Sequence, residues 1–261
     1  ERSLSPAWSP DSKWIAYTVG PSLNIEKVHL YSIDEDRSYP LTDGFSEATE
    51  PVFDASGKYL YFFASTDAAA AKQFLEMSVD DLKITNGIYI VALTKEAANP
   101  LAKESDEEQG ADNPASASPS EAKPSAPAKG GKLGPKEAPP AESQAARFDL
   151  QGVERRIVHV PVRPAGYYSL TAGKAGELYY LEAPSDQGDE GPAGSALHKY
   201  DPKTRKDEVL LSNVAGYSLS ADRKKILYVS QGQYFITSLQ PKPQPGQGRL
   251  PVEAIEVRVD P

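Results

Sequence analysis

"SPAWSPDSKWIAYT", residues 5–18, and "TEPVFDASGKYLYFF", residues 49–63, are two versions of one pattern. A shift of 45 residues without a gap sets Pro6 on Pro51, Trp8 on Phe53, Ser9 on Asp54, Lys13 on Lys58, Trp14 on Tyr59 and Tyr17 on Phe62. A period of about 40–45 residues is that of a four-stranded propeller blade, whereas two-helix repeats are shorter or carry helical periodicity. The first copy reads strand by strand. "KWIAYTV" (residues 13–19) is rich in aromatic and β-branched residues, and the "SPDS" before it is turn chemistry: proline presets φ and aspartate bonds nearby backbone. "KVHLYSI" (residues 27–33) alternates as a half-buried strand does, "DEDR" turns it, and "SYPLT" (residues 38–42) reads as a short edge strand that tolerates its proline. With "PAWS" as the innermost strand, the unit has four.

The second copy repeats the plan with "YLYFFAS" (residues 59–65) and "NGIYIVAL" (residues 86–93), joined by a longer connection that contains "KQFLEMSVDDL". After Leu93 the chain enters a Pro/Ala/Glu-rich tract and returns at "RRIVHVPV" (residues 155–162), so the tract reads as an insertion between the third and fourth strands of this blade. Doubling a loop's length adds only about 0.6 kcal/mol of closure cost, and the blade tolerates it. A third copy begins at "GYYSLTAGKAGELYYLEA" (residues 166–183), with Leu170 in the place of Trp8 and "LHKYD" (residues 197–201) as third strand. The fourth is "GYSLSADRKKILYVSQGQYFITSL" (residues 216–239), where Leu219, Asp222, Lys224, Ile226 and Tyr228 fall 211 residues after Trp8, Asp11, Lys13, Ile15 and Tyr17.

The fold expected is therefore all-β: a partial β-propeller of about four four-stranded antiparallel blades with a long disordered insertion. Residues 1–96 hold blade one and three strands of blade two, residues 97–147 the insertion, residues 148–249 the end of blade two with blades three and four, and residues 250–261 a strand leading into a following domain. A lone blade cannot cover both faces of its sheet, and closed propellers have about four to eight blades. The chain opens on "ERSLSPAWSP", without an initiator methionine and already inside a repeat, and is expected to be a section of a larger ring cut from a longer protein. Unpaired blade faces would then be exposed in isolation.

Composition narrows the function. The tract from residue 100 to 146 holds a disproportionate share of the 23 prolines and no aromatic residue. It buries too little apolar surface to offset chain entropy and is read as disordered, which removes about a fifth of the chain from the fold. A net charge of −9 argues against nucleic-acid binding, which needs a basic stripe. No cysteine is present, so disulfides and thiolate metal sites are excluded. No apolar run approaches the ~18 residues needed to span a bilayer.

Each candidate for chemistry has a plainer reading. His29, His159 and His198 sit in expected strands, without a second histidine or a carboxylate at metal-ligand spacing. Ser195 in "GPAGSALHKY" lacks the second glycine and the helix signal of a nucleophile elbow, so a plain loop is expected. "KGGKLG" (residues 129–134) lacks the upstream glycine and the hydroxyl residue of a phosphate loop. "DEDR" and the pair Asp80, Asp81 lack the calcium-loop pattern and read as solvated turns. Trp8, Trp14, Tyr59, Tyr61, Phe62, Tyr179 and Tyr180 recur at equivalent strand positions, which points to blade-to-blade packing rather than a carbohydrate platform.

"SPDSKWIAY" resembles the propeller repeat of the periplasmic Tol-system protein, of prolyl-oligopeptidase-type peptidases and of tricorn proteases. "FDLQGVERRIVHVPVRPAGYYSL" (residues 148–170), the charged insertion before it, "ATEPVFDASGKYLYFFASTD" and the ending "LPVEAIEVRVDP" together look like the second propeller of bacterial tricorn-like proteases, immediately before the catalytic half. The resemblance implies a large serine peptidase acting on peptides, with helical, PDZ-like and α/β domains. Its propellers would act as filters or channels for peptides. The family's catalytic serine, histidine and glutamate lie after the point matched by Pro261, so no catalytic, cofactor-binding or metal residue is assigned to this chain, and no cofactor. Partners implied are peptide substrates, the remaining domains of the parent chain and a homo-oligomer. The resemblance implies a cytoplasmic setting, while the missing N-terminus leaves a periplasmic or secreted one open. The alternative is a Tol-like propeller serving as a protein-binding scaffold. A prolyl-oligopeptidase-type enzyme would need Gly-x-Ser-x-Gly in a later domain.

Overall fold

Four antiparallel sheets follow one another along the chain, each built mainly from consecutive strands. The structure, a computed structural model, describes residues 6–20, 25–68, 84–99, 101–102, 148–184 and 194–252. Blade one comprises β1 (Ala7–Trp8), β2 (Trp14–Val19), β3 (Lys27–Ser32) and β4 (Arg37–Pro40). Blade two comprises β5 (Glu47–Phe53), β6 (Tyr59–Ser65), β7 (Gly87–Ala92) and β8 (Ile157–His159). Blade three comprises β9 (Tyr167–Ala172), β10 (Leu178–Glu182), β11 (Ser195–Asp201) and β12 (Lys206–Val214). Blade four has β13 (Gly216–Leu219), β14 (Lys225–Ser230) and β15 (Gln233–Ser238).

The expected fourth strand of blade four is reduced to a short edge. Residues 248–250 lie along β15, where Ile236 donates to the Gly248 carbonyl and Leu250 donates to Tyr234, both at 2.8 Å. Gly248 sits at φ +80°, and a Cβ there would come within 1.9 Å of the Ile236 carbonyl oxygen, so only glycine lets the edge approach.

The repeated turn has a common hydrogen-bonding pattern. In blade one the Ser9 hydroxyl donates to Asp11 (2.6 Å) and accepts the Trp14 N–H (2.9 Å), while Asp11 accepts the Lys13 N–H (3.2 Å). Blade four repeats this with Ser220, Asp222, Lys224 and Lys225 at 2.6, 3.1 and 2.9 Å. The turn needs one left-handed residue before its last position, supplied by Ser12, Gly57, Gly176 and Arg223 in blades one to four.

Three apolar clusters lie between the four blades. Because side chains alternate across a strand, "YLYFF" of β6 sends Leu60 and Phe62 toward Trp14, Ala16, Val28 and Leu30 of blade one. It sends Tyr61 and Phe63 toward Leu170, Leu178, Tyr180 and Tyr200 of blade three. The third cluster joins Tyr179, Leu181, Leu197 and Leu211 to Ile226, Tyr228 and Phe235 of blade four. Of the aromatic residues expected in the core, Trp8 is corrected. Its counterparts Phe53 and Leu170 face the preceding blade and are buried, whereas Trp8 is 57% exposed because no described blade precedes it. The opposite end of the array also shows apolar side chains, Tyr234 and Ile236 of β15.

The excursion after Leu93 is closed at its base. β8 pairs with β7 (Tyr89 opposite His159, Val91 opposite Ile157), so the chain returns to the strand beside the one it left. Asp149 donates its N–H to the Leu93 carbonyl at 2.8 Å and accepts the Lys95 N–H at 3.0 Å. Arg156, at the end of a 3-10 turn (Val153–Arg156), donates to the Ala92 carbonyl at 2.9 Å and to that of Asp149. Residues 103–147, including "KGGKLG", and the pair Asp80, Asp81 lie outside the described residues.

Blades two and three are also fastened by Asn86. Its backbone exchanges hydrogen bonds with Ala165 (2.9 and 3.2 Å). Its side-chain amide donates to the Tyr167 carbonyl at 2.9 Å and accepts the Tyr167 N–H at 3.0 Å.

Candidate functional site

The first strand of each blade forms the inner edge of its sheet: β5 touches β1 on one side and β9 on the other, and β13 continues the series. Two of these strands are interrupted. The β5–β6 register shifts between Thr49 and Val52, and the β9–β10 register shifts beside Tyr179 and Leu181. At these bulges Glu50 and Ser169 adopt φ of 49° and 57°, a conformation that costs a non-glycine residue roughly 1–3 kcal/mol unless its surroundings hold it.

What holds them is a polar chain running from blade to blade. The Glu50 carboxylate accepts the Leu170 N–H at 2.8 Å and also receives the Ser169 N–H. The Tyr217 hydroxyl of β13 donates to the Ser169 carbonyl at 2.7 Å. Nearby, buried Asp54 accepts the Gly176 N–H at 2.8 Å. One strained backbone is thus gripped by acceptors and donors from both neighbours. Burial pushes the Glu50 carboxyl above its ordinary 4.5, and the Leu170 and Ser169 N–H groups only partly oppose this. Burial likewise pushes the Tyr217 hydroxyl up, so it remains a donor.

A carboxyl with a raised folded-state pKa holds its proton longer in the folded than in the unfolded chain, so stability falls as pH rises from the unfolded value through the folded one. Glu50→Gln removes that titration while keeping an acceptor. Its urea midpoint relative to the parent sequence is expected to rise between pH 4 and pH 7. A difference that stays constant over this range would show that burial does not raise the Glu50 pKa.

Among the described residues, those weighed for chemistry do not assemble a reaction centre. His29 is half-buried, with Nδ1 at 3.3 Å from the Ser38 hydroxyl; burial and then the Lys27 charge hold its pKa down. His159 stands edge-on to Tyr89 at 5.1 Å. His198 corrects the expectation of no carboxylate at strand-paired spacing. Asp207 lies 2.9 Å from its Nδ1 and Glu182 lies 3.3 Å from its Nε2. Both acids lie diagonally across the neighbouring strands, two residues from Val209 and Tyr180, the residues directly opposite His198. The carboxylates address opposite ring nitrogens and do not converge, and among the described residues no group of three His, Asp or Glu side chains could hold a metal. Ser195 opens strand β11 rather than a loop. It is fully buried, with its hydroxyl receiving the Tyr168 O–H at 2.6 Å, which leaves no space for a substrate. The acids of "DEDR" serve local structure: Asp34 pairs with Lys13 at 3.2 Å, and Glu35 and Asp36 accept the Tyr39 and Tyr31 hydroxyls.

Sequence reasoning passed over Glu50, Ser169, Asn86 and Tyr217. One signal was available: "GYYSL" (residues 166–170) is one residue longer than "GYSL" (residues 216–219), and an extra residue in a repeated strand marks a bulge.

Among the described residues the inner wall offers a carboxylate, hydroxyls and bulged backbone, and the series of antiparallel sheets behind it defines the class as a segment of a β-propeller. Residues 2–240 match the family defined as the tricorn protease second beta propeller domain, and the chain belongs to that family. It is 22% identical over 238 residues to the tricorn protease homolog of Saccharolobus solfataricus, covering 90% of this chain and 19% of that protein. It is 24% identical over 211 residues to the tricorn protease of Thermoplasma acidophilum, covering 78% of this chain and 16% of that one. The crystal structure of the tricorn protease superposes with a TM-score of 0.58 at 20% identity, over 90% of this chain and 21% of that one. The chain thus spans less than a fifth of either relative's length. Among the described residues no helix is long and apolar enough to cross a membrane.

Proposed function

We propose that this segment gates or channels peptides toward a serine-peptidase core carried elsewhere in a longer parent protein. The observation that carries the reading is the inner wall. Glu50, Ser169 and Tyr217 tie successive inner strands to one another in a chain that belongs to a tricorn protease propeller family. A wall fixed by cross-blade hydrogen bonds keeps a constant bore, as selection by size requires. The exposed faces at both ends, marked by Trp8 and by Tyr234 with Ile236, support completion of the ring by further blades of the parent.

The test is hydrolysis of short and long peptides by the parent protein with and without residues 1–261. Turnover of short peptides is expected to survive the deletion, with the ratio of long- to short-peptide kcat/KM changed at least severalfold. Retained short-peptide turnover with an unchanged ratio would remove the gating role. A parent that hydrolyses neither peptide would remove the peptidase assignment.

A further inference from the structure

We propose an anion-binding site in the crevice between blades three and four. It takes a carboxylate or phosphate-type group and is independent of the peptide-channelling reading. A cavity of about 340 Å³ opens there, lined by Lys174 and Glu177 of the β9–β10 turn, Tyr179, Arg223 and Lys224 of the β13–β14 turn, and Leu239. Three of these are cations, in a chain whose net charge is −9. The carboxylate in the lining is already engaged: Glu177 binds the Lys199 ammonium at 2.7 Å through one oxygen and the Tyr179 hydroxyl at 3.3 Å through the other. Among the described residues Lys174, Arg223 and Lys224 form no ion pair. Asp222, next to them in sequence, lies outside the lining; it accepts the Ser220 hydroxyl and the Lys224 N–H, and the Lys224 and Lys225 charges act on it without forming an ion pair.

Comparison of the repeats shows that this arrangement departs from the common turn. Lys13 of blade one, 211 residues before Lys224, is neutralised by Asp34 on the next hairpin of its own blade at 3.2 Å. Among the described residues blade four has no equivalent acid, since residues 239–252, "LQPKPQPGQGRLPV", contain no Asp or Glu. The left-handed position of the turn is Ser12, Gly57 and Gly176 in the other blades, but in blade four it is Arg223 at φ 55°. An arginine at the least comfortable position of the turn, beside a lysine without the cross-hairpin partner that Lys13 has, delivers a guanidinium fork to the cavity. That fork fits the paired oxygens of a carboxylate or phosphate. The Tyr179 ring and Leu239 wall lower the local dielectric and strengthen the attraction.

The test is an amide-resolved NMR titration of the 261-residue chain with inorganic phosphate and, separately, with a blocked tetraglutamate peptide, a blocked tetraglutamine serving as control. Saturable shifts are expected at Lys174, Gly176, Glu177, Arg223, Lys224 and Leu239, with none for tetraglutamine. Saturation by phosphate alone assigns a free oxyanion, and saturation by the peptide assigns an acidic chain; either supports the site. Arg223→Ser, which restores the residue that blade one carries, is expected to weaken binding about tenfold. Lys13→Ser is expected to leave it unchanged. Linear shifts spread over all lysines, or an affinity unaltered by Arg223→Ser, would overturn the site.

Discussion

Phe62→Ala is expected to lower the unfolding free energy by about 3–5 kcal/mol, a large part of the ~5–15 kcal/mol that holds an ordinary domain together. Phe62 is 2% exposed, stacks on Tyr89 at 5.8 Å and, with Leu60, is one of the β6 side chains that reach the cluster of Trp14, Leu30 and Val28. Truncation leaves a cavity that two sheets surround, and neither can collapse into it without moving a hydrogen-bonded strand. Urea unfolding followed by circular dichroism measures the loss. Phe62→Leu should recover most of it, because the transfer contribution returns and the cavity shrinks. A cost below about 1 kcal/mol for the alanine variant would mean that blade one does not rest on this side chain.

The second large effect is expected at Asn86, where the mechanism is polar rather than apolar. Asn86→Ala removes both side-chain bonds to Tyr167, a residue only 5% exposed, and leaves its carbonyl without that donor while its N–H keeps only the Ala165 carbonyl at 3.0 Å. A buried group deprived of its partner costs about 1–3 kcal/mol. Asn86→Asp distinguishes hydrogen bonding from mere bulk. Its carboxylate can still accept the Tyr167 N–H, but it sets a second oxygen against the Tyr167 carbonyl, so at neutral pH the loss should at least equal that of alanine. Thermal unfolding of the two variants at pH 7 and pH 4 measures this. The aspartate variant should regain stability at pH 4, where a protonated oxygen can again donate. An aspartate variant as stable as the parent sequence at pH 7 would show that the amide donor is idle.

The blades were legible because their cause is local and repeated. A run such as "YLYFF" cannot be half-exposed, and the Ser-x-Asp-x-Lys turn uses the same hydrogen bonds in blades one and four that its residue types announce. Insertion of a long tract between β7 and β8 was legible for the same reason, since the missing fourth strand had to come from somewhere. The inner wall was much less so. Glu50 precedes a proline, a setting that ordinarily keeps a residue extended, and its left-handed conformation depends on N–H groups 120 residues away in sequence. Tyr217 likewise acts on a carbonyl 48 residues earlier. Trp8 differs from Phe53 only in what lies beside its blade. Such features belong to packing between blades, which no single repeat encodes.

The closed base of the excursion after Leu93 has an evolutionary consequence. Asp149 and Arg156 clasp the strand ends on either side of the insertion, so the end of β7 and the start of β8 are held in fixed register. Length and composition there can drift among descendants of this gene without shifting the alignment of any blade, so selection can test new tethers or partner-binding sequences at that point while the propeller stays as it is.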